Sequence, residues 1–388
     1  WPVRITQIEA IVVHVSPRGD WVFVQVHTDA GLVGLGEASH GSNDRQVVLA
    51  VQQFEQRLAG HDARQIRRLW SLLHSPLAGR AVQTAASAIE QALWDLLGQS
   101  LGVPIHSLLG GATCDTLRLY ANINRHVRDR SPEGFARAAS AAVSEGFDAI
   151  KLAPFDELRT PSHRRTGPRA TWRAGVERVE AVRDAIGPDV ELMVDCHGRM
   201  EPSEALQVGL ALAPLDLAWL EEPVPSAIPC QLGQLAARLP MPIASAESCY
   251  ALEGFAPFLC DRVADILMPD VKHDGGVAET LAIAQAARMR HLLVAPHNPA
   301  GPVSTAATAH VAAVMSNLLI VEYAWGEVPW RAALVEPAER IERGHLRLPQ
   351  GPGLGHRLRD ELVQQHLSGA PRDDDSSKVV VATEPRDE

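Results

Sequence analysis

Acidic and imidazole side chains recur along the second half of this 388-residue chain at intervals of 23 to 27 residues, each time after an apolar run. One strand–helix unit of a parallel β/α protein has about this length, so the period predicts equivalent positions at successive strand ends. A single such residue would be an ordinary helix cap, but six in register need another explanation. The six are Asp195, Glu221, Glu247, Asp270, His297 and Glu322.

Eight apolar segments alternate with helix-like stretches over the same part of the chain. This alternation predicts an α/β fold with a parallel (β/α) barrel rather than an open sheet. The first 60 or so residues look instead like antiparallel strands, and residues 63–102 look helical. The eight segments read LRLYANI, DAIKLAP, VELMVDCH, LAWLEEP, PIASAES, ADILMPD, HLLVAPHN and LLIVEYA.

The composition excludes several classes of function. A formal net charge of −11 argues against a nucleic-acid partner, because phosphate contacts need clustered lysine and arginine. The five cysteines are scattered without CxxC spacing, which indicates neither a disulfide framework nor a thiolate zinc site. No signal segment or membrane-length apolar run stands out, so we expect a cytoplasmic protein that acts on a small molecule.

Three of the periodic carboxylates lie on consecutive predicted strands and indicate a metal site. Asp195, Glu221 and Glu247 would repel one another strongly if they converged without a cation. A divalent ion removes this repulsion, and ligation by oxygen alone favours Mg²⁺. Periodicity does not by itself choose between Glu221 and Glu222, but the equal spacing of 26 residues on either side favours Glu221.

The remaining periodic residues are candidates for acid–base chemistry. An aspartate beside a histidine fixes its tautomer and raises its basicity, so Asp270 and His297 are typical of a general base. His197 shares a strand face with Asp195; it is too close to be assumed a ligand, although a strand end with two ligands is possible. Glu322 can bind metal or stay protonated and hydrogen-bond an anion, and burial favours the second.

Together these motifs resemble the mandelate racemase branch of the enolase superfamily. The resemblance rests on AIKLAP, DCHGR, WLEEP, ASAES, LMPDVKHDGG, LVAPHNPAGP and IVEYA, and on ALWDLLGQSLGVPIHSLLGG before them. It implies a modified TIM barrel, (β/α)₇β, over residues 116–332 and an N-terminal α+β capping domain over residues 1–115. Residues 333–368 would return to the capping domain, and we expect a disordered tail over residues 369–388. The resemblance also implies the metal ligands named above, a His297–Asp270 base, and Glu322 hydrogen-bonded to the substrate carboxylate.

One departure from the family pattern bears on the reaction. Racemases of this branch carry K-x-K after the second barrel strand, whereas this chain reads KLA, with Lys151 kept and Ala153 in the second position. The DCHGR motif places His197 where galactonate dehydratase-like enzymes of the branch have their general acid. The resemblance therefore implies dehydration of a sugar acid, an aldonate or aldarate, rather than racemisation.

In the implied Mg²⁺-dependent reaction, His297 removes the C2 proton to give an enediolate and His197 protonates the departing 3-hydroxyl. The product is a 2-keto-3-deoxy acid. Two alternatives stay open: a racemase, epimerase or cycloisomerase of a 2-hydroxy carboxylate on the same site, and a catalytically silent carboxylate-binding relative. Lys151 either places positive charge near the substrate carboxylate or pairs with an acidic neighbour.

Two further expectations concern the substrate and the assembly. Arg18 and Trp21, in the loop SPRGDW, are candidates for substrate contact if that loop closes over the barrel mouth. Loop geometry around residues 16–21 and 155–172 would decide which sugar acid fits. The resemblance also implies a homo-oligomer, either a dimer or an octamer.

Overall fold

The computed structural model describes residues 2–17, 19–39, 43–159 and 171–368, and begins with a three-stranded antiparallel sheet. Along the second strand of this sheet, Val22, Val24 and Val26 face the neighbouring helices, while Trp21 and Phe23 face the barrel. This alternation is the period of two that a strand buried on both faces must show. The elements are β1 (Ile5–Ser16), β2 (Gly19–Thr28), β3 (Val33–Glu37), α1 (Asp44–Leu58), α2 (Ile66–Leu73), α3 (Arg80–Leu101) and α4 (Ile105–Leu108).

Eight parallel strands follow in the part of the chain that the structure describes, and each of the first seven is followed by a helix. The strands are β4 (Thr116–Asn122), β5 (Ala149–Leu152), β6 (Glu191–Asp195), β7 (Trp219–Glu221), β8 (Ile243–Ser245), β9 (Ile266–Leu267), β10 (Leu293–Val294) and β11 (Val321–Ala324). The helices are α5 (Pro132–Ser144), α6 (Arg173–Ile186), α7 (Pro202–Leu212), α8 (Pro229–Ala236), α9 (Ala251–Asp261), α10 (Val277–Met289) and α11 (Pro302–Ala312).

The pairing of these strands turns the sheet back on itself. Neighbours pair in chain order from β4 to β10, and β11 returns to pair with β4. The remaining side, between β10 and the segment before β11, is linked by an isolated bridge between Val294 and Leu318. The interior is filled by buried side chains, including Tyr120 and Trp219, as in other barrels of this kind. The predicted α/β class and modified (β/α)₇β barrel with its N-terminal cap are confirmed.

The last described residues run back to the first sheet. Backbone hydrogen bonds join His14 to His366 (2.7 Å) and Ser368 to Val12 (2.9 Å). The predicted domain limits at 115 and 332 stay a prediction, and the predicted tail over residues 369–388 lies outside the described residues. The elements of this part are β12 (Val335–Glu336), β13 (Ile341–Glu342), β14 (His345–Arg347), β15 (Arg357–Leu358) and α12 (Asp360–Gln365).

Buried carboxylates of the cap bind the N-termini of two barrel helices. Glu37 accepts hydrogen bonds from the backbone N–H groups of Gly301 (2.6 Å) and Ser304 (2.7 Å), where α11 begins. Glu90 does the same for Val277 (2.7 Å) and α10. A carboxylate is favourable there because the first N–H groups of a helix have no partner within the helix. Both helices follow predicted site residues, so the cap helps to hold the site loops.

The helices of the described ranges include none that is both long enough and apolar enough to cross a membrane.

The glycine-rich strand β3 lies directly against α3. A methyl group at Gly36 would overlap the Ala88 carbonyl of α3, whereas one at Gly254, within α9, would make ordinary contacts. We expect Gly36→Ala to lower the free energy of unfolding by about 1–3 kcal/mol, because backbone must shift to make room. The control Gly254→Ala should raise it by up to about 1 kcal/mol through helix propensity. Denaturant or thermal unfolding measures both, and equal stability of the two variants would contradict this packing.

Candidate active site

Strand alternation aims polar side chains into the mouth of the barrel. Residues two positions apart on a strand face the same side, so each polar residue continues the inward row that a buried interior residue begins. Met193 precedes Asp195 in this way, and Trp219 precedes Glu221. The same offset of two relates Tyr120 to Asn122, Ala149 to Lys151 and Ile320 to Glu322. It continues past the ends of β9 and β10, from Met268 to Asp270 and from Ala295 to His297.

Glu247 reaches the same centre by a different route. The backbone leaves the strand conformation at Ala246, whose φ is 88°. Glu222 supports this turn, because its Oε1 accepts hydrogen bonds from Ser245 Oγ (2.8 Å) and from the N–H of Ala246 (2.9 Å). Glu222 therefore supports the turn that carries Glu247, and Glu221 is the member of the pair that lies in the carboxylate cluster.

The three carboxylates predicted as metal ligands lie together. One oxygen each from Asp195, Glu221 and Glu247 falls within 4.8 Å of the others. Burial raises the pKa of Glu221 to about 8, despite the opposing charge of Lys151. The Oε2 atom of Glu247 is buried and accepts no hydrogen bond, although His297 Nε2 lies 3.1 Å away. Buried carboxylates that lack sufficient positive charge are a fitting donor set for a divalent cation.

Lys151 supplies part of the missing positive charge. Its Nζ lies 2.7 Å from Glu221 Oε1, 2.8 Å from Glu322 Oε1 and 4.0 Å from Asp195 Oδ2. Two roles were considered for Lys151, and these distances match the second, pairing with acidic neighbours. Its side chain is 1% exposed, so this one charge is shared among several buried carboxylates.

Glu322 is surrounded by hydrogen-bond donors. Its Oε1 accepts from Asn122 Nδ2 (2.7 Å) and Lys151, and its Oε2 accepts from the N–H of Asn298 (2.7 Å). Burial raises the pKa of Glu322, but Lys151, His297 and these hydrogen bonds outweigh it and lower the pKa. These donors come from three different barrel strands or loops, and the expected hydrogen bond from Glu322 to a substrate anion stays a prediction.

His297 and Asp270 form a hydrogen-bonded pair with a further partner. His297 Nδ1 lies 2.7 Å from Asp270 Oδ2, which leaves Nε2 facing Glu247. Burial lowers the pKa of His297, but the charges of Glu247, Glu322 and Asp270 outweigh it and raise the pKa. Lys272 Nζ donates to both oxygens of Asp270, at 2.8 and 2.6 Å. Burial raises the pKa of Asp270, but Lys272, His273 and the hydrogen bond to His297 outweigh it and hold the pKa well below the ordinary value.

His197 lies between two carboxylates. Its Nδ1 is 2.8 Å from Asp156 Oδ1, and its Nε2 is 2.9 Å from Asp195 Oδ2. Burial lowers the pKa of His197, but Asp195 and Asp156 raise it well above the ordinary value. Because β6 and β10 stand four strands apart in a ring of eight, His197 and His297 approach the centre from opposite sides.

Two residues that contact the predicted acid and the aspartate of the predicted base were not among the predicted site residues: Asp156 and Lys272. Asp156 lies in the loop after β5, and the pairing of β5 with β6 brings this loop to His197. Lys272 had a readable signal, because it follows Asp270 by two residues in the same motif.

Of the two predicted substrate contacts, Arg18 lies outside the described residues, as do residues 160–170 of the loop after β5. Trp21 is 2% exposed and packs edge-on against Trp330, with 5.3 Å between ring centroids. Its ring therefore fills space between the cap and the barrel, and a substrate contact for it stays a prediction.

Comparison with known proteins identifies similarity along both parts of the chain. Residues 5–110 match the N-terminal domain of the mandelate racemase/muconate lactonizing enzyme family, and residues 134–362 match the enolase C-terminal domain-like family. A D-xylonate dehydratase of Haloferax volcanii is 34% identical over 377 residues, which cover 94% of this chain and 89% of the relative. A D-galactonate dehydratase of Ralstonia nicotianae is 33% identical over 378 residues, which cover 95% and 96%.

A solved structure agrees with these matches. The crystal structure of a mandelate racemase/muconate lactonizing enzyme-like protein from Rubrobacter xylanophilus superposes with a TM-score of 0.86 at 34% identity, covering 95% of this chain and 98% of that one. Since the family domains, the full-length relatives and the fold all agree, the chain belongs to the mandelate racemase/muconate lactonizing enzyme family of the enolase superfamily.

Proposed function

We propose that this protein is a Mg²⁺-dependent dehydratase of a sugar acid, an aldonate or an aldarate. The observation that carries the proposal is the pair of histidines on opposite sides of the carboxylate cluster, each hydrogen-bonded to its own aspartate. Dehydration needs one group that takes a proton from C2 and another that gives one to the leaving hydroxyl. The names of the relatives, which dehydrate D-xylonate and D-galactonate, support this reaction class.

The charge around each histidine supports distinct roles. His197 faces carboxylates through both ring nitrogens, which favours the protonated form and hence an acid. His297 has its Nδ1 bound by Asp270, so its Nε2 is the atom that takes up the proton. A racemase would need a base on each face, and Ala153 stands where the second lysine of such enzymes is expected. Elimination therefore fits this site better than inversion.

The metal ligands in this proposal are Asp195, Glu221 and Glu247. When bound, Mg²⁺ would neutralise the carboxylate cluster and attract the carboxylate of the substrate. Lys151 adds fixed positive charge beside Glu221. Glu322 donates a hydrogen bond to the substrate only after it takes up a proton, which an incoming anion would favour by raising its pKa.

The reaction then divides between the two histidines. His297 removes the C2 proton and leaves an enediolate. The electron pair moves to form a C2–C3 double bond as the C3–oxygen bond breaks, and His197 gives its proton to the hydroxyl, which leaves as water. The enol that results tautomerises to the 2-keto-3-deoxy acid.

The first prediction of this proposal concerns the metal. EDTA should abolish activity and added Mg²⁺ should restore it, because the buried carboxylates need a counter-charge. Independently of activity, Mg²⁺ at about 100 times its Kd should stabilise the fold by about 2.7 kcal/mol. Thermal melting should show this shift in the parent and in the exposed control Glu253→Gln, but not in Glu247→Gln. Full activity in chelator, or an unchanged shift in Glu247→Gln, would contradict the ligand assignment.

The second prediction separates the histidines, and it tests the proposed function. His297→Asn should lose both dehydration and exchange of the C2 proton with deuterated solvent, because no enediolate forms. His197→Asn should lose dehydration by ~10²–10⁴-fold yet keep exchange, since proton abstraction comes first. Proton NMR on a substrate that the parent turns over measures both rates. Exchange kept in His297→Asn but lost in His197→Asn would reverse the two roles.

The third prediction separates catalysis from stability at Asp270. Asp270→Asn should lower the free energy of unfolding by about 3–5 kcal/mol, because it leaves Lys272 buried without a counter-charge. The double variant Asp270→Asn/Lys272→Met should regain most of this stability but not C2 exchange, since His297 still lacks its partner. Denaturant unfolding and proton NMR provide the two readouts. An active double variant would show that Asp270 acts only through the fold.

A further inference from the structure

The contact between His197 and Asp156 joins two neighbouring strand ends. Asp156 follows β5, His197 follows β6, and the two strands are paired. His197 Nδ1 lies 2.8 Å from Asp156 Oδ1. Because a carboxylate only accepts hydrogen bonds, Nδ1 carries a proton in this contact. The opposite nitrogen, Nε2, is thereby turned toward Asp195 and the centre of the site.

Asp156 is itself held by groups from other loops. Its Oδ2 accepts from Asn124 Nδ2 (3.4 Å) and lies 3.3 Å from Arg130 Nη2, both in the loop after β4. Arg199, in the loop after β6, places Nε 3.8 Å from Oδ1. Arg130 is anchored in turn by hydrogen bonds to the carbonyl of Ala153 (2.6 Å) and to Asn124 (3.0 Å). The Asp156 carboxylate is therefore held in place by these contacts and is not a free surface group.

The second contact of His197 cannot replace the first. Asp195 binds the backbone N–H of His197 (2.8 Å), at a φ of 50°, and faces Nε2. Asp195 is also a proposed metal ligand, so a bound cation would compete with Nε2 for its carboxylate. Nε2 must moreover be free to meet the substrate. Asp156 is then the contact that continues to orient the ring.

We infer that Asp156 is the positioning residue for His197: it binds Nδ1 so that the Nε2 proton points at the 3-hydroxyl of the substrate. The inference rests on the proposed dehydratase function. When the C3–oxygen bond breaks, the departing hydroxyl takes the Nε2 proton and leaves as water, while Nδ1–H stays bound to Asp156. Asp156 touches neither substrate nor metal in this arrangement, and it acts only through the imidazole.

The adjacent residue, Glu157, provides a matched control. Glu157 also lies beside Arg130, with its Oε1 3.3 Å from Arg130 Nε, and it accepts a hydrogen bond from Arg178 (2.7 Å). It is 48% exposed at the side chain and makes no contact with His197 among the described interactions. Glu157→Gln thus removes an adjacent charge from the same loop without touching the acid.

The experiment compares two rates in each variant loaded with Mg²⁺. Asp156→Ala should lower keto-acid formation by at least about 10-fold, and by no more than the ~10²–10⁴-fold that loss of the general acid itself costs. Its rate of C2 exchange should be no lower than that of the parent. Asp156→Asn, which keeps an acceptor of the same shape, should lose less. Glu157→Gln should change neither rate. Equal loss of exchange and dehydration, or dehydration at the parent rate in Asp156→Ala, would overturn the inference.

A second readout does not depend on turnover. In protein labelled with ¹⁵N-histidine, the Nδ1–H signal of His197, assigned by its loss in His197→Asn, should be present in the parent and in Glu157→Gln. It should vanish in Asp156→Ala, and its survival there would overturn the inference. If the parent forms no keto acid from any sugar acid, the dehydratase proposal fails, and this signal decides on the Asp156 contact alone.

Discussion

The carboxylates buried at the barrel mouth have too little positive charge around them. The rest of the site depends on this constraint. Asp195, Glu221 and Glu322 are at most 3% exposed, and Lys151 is the cation that reaches all three. Such a cluster is costly unless a cation joins it. The same constraint explains the arrangement of the histidines, because each imidazole that borders the cluster also faces a carboxylate and is held at a defined nitrogen.

The capping domain helps to position the loops of this site. Glu37 and Glu90 bind the first N–H groups of α11 and α10, the helices that follow His297 and Asp270. Burial raises the pKa of Glu90 to about 7, while the hydrogen bonds from the start of α10 oppose this shift by favouring the charged form. Close packing of β3 on α3, which Gly36 permits, sets where these acidic side chains emerge. The cap thus positions the loops that carry the base.

How much of the site could be predicted depends on whether a residue obeys the strand period. Asp195, Glu221, Asp270, His297 and Glu322 are each two positions beyond an interior residue, so spacing alone placed them together. Contacts between loops follow no period, which is why Asp156 could not be found from the sequence. The donors that surround Glu322 could not be predicted either, because they come from Asn122, Lys151 and Asn298, far apart in the chain.

The product formed in deuterated water by the unmodified, Mg²⁺-loaded protein tests the central claim most directly. A set of aldonates and aldarates, including D-xylonate and D-galactonate, is incubated and followed by proton NMR. Proton abstraction at C2 with loss of the 3-hydroxyl predicts a 2-keto-3-deoxy acid that carries one deuterium at C3, because the enol takes its new proton from solvent. A C2 epimer without keto acid would contradict elimination, and an unchanged set of acids would contradict catalysis on sugar acids altogether.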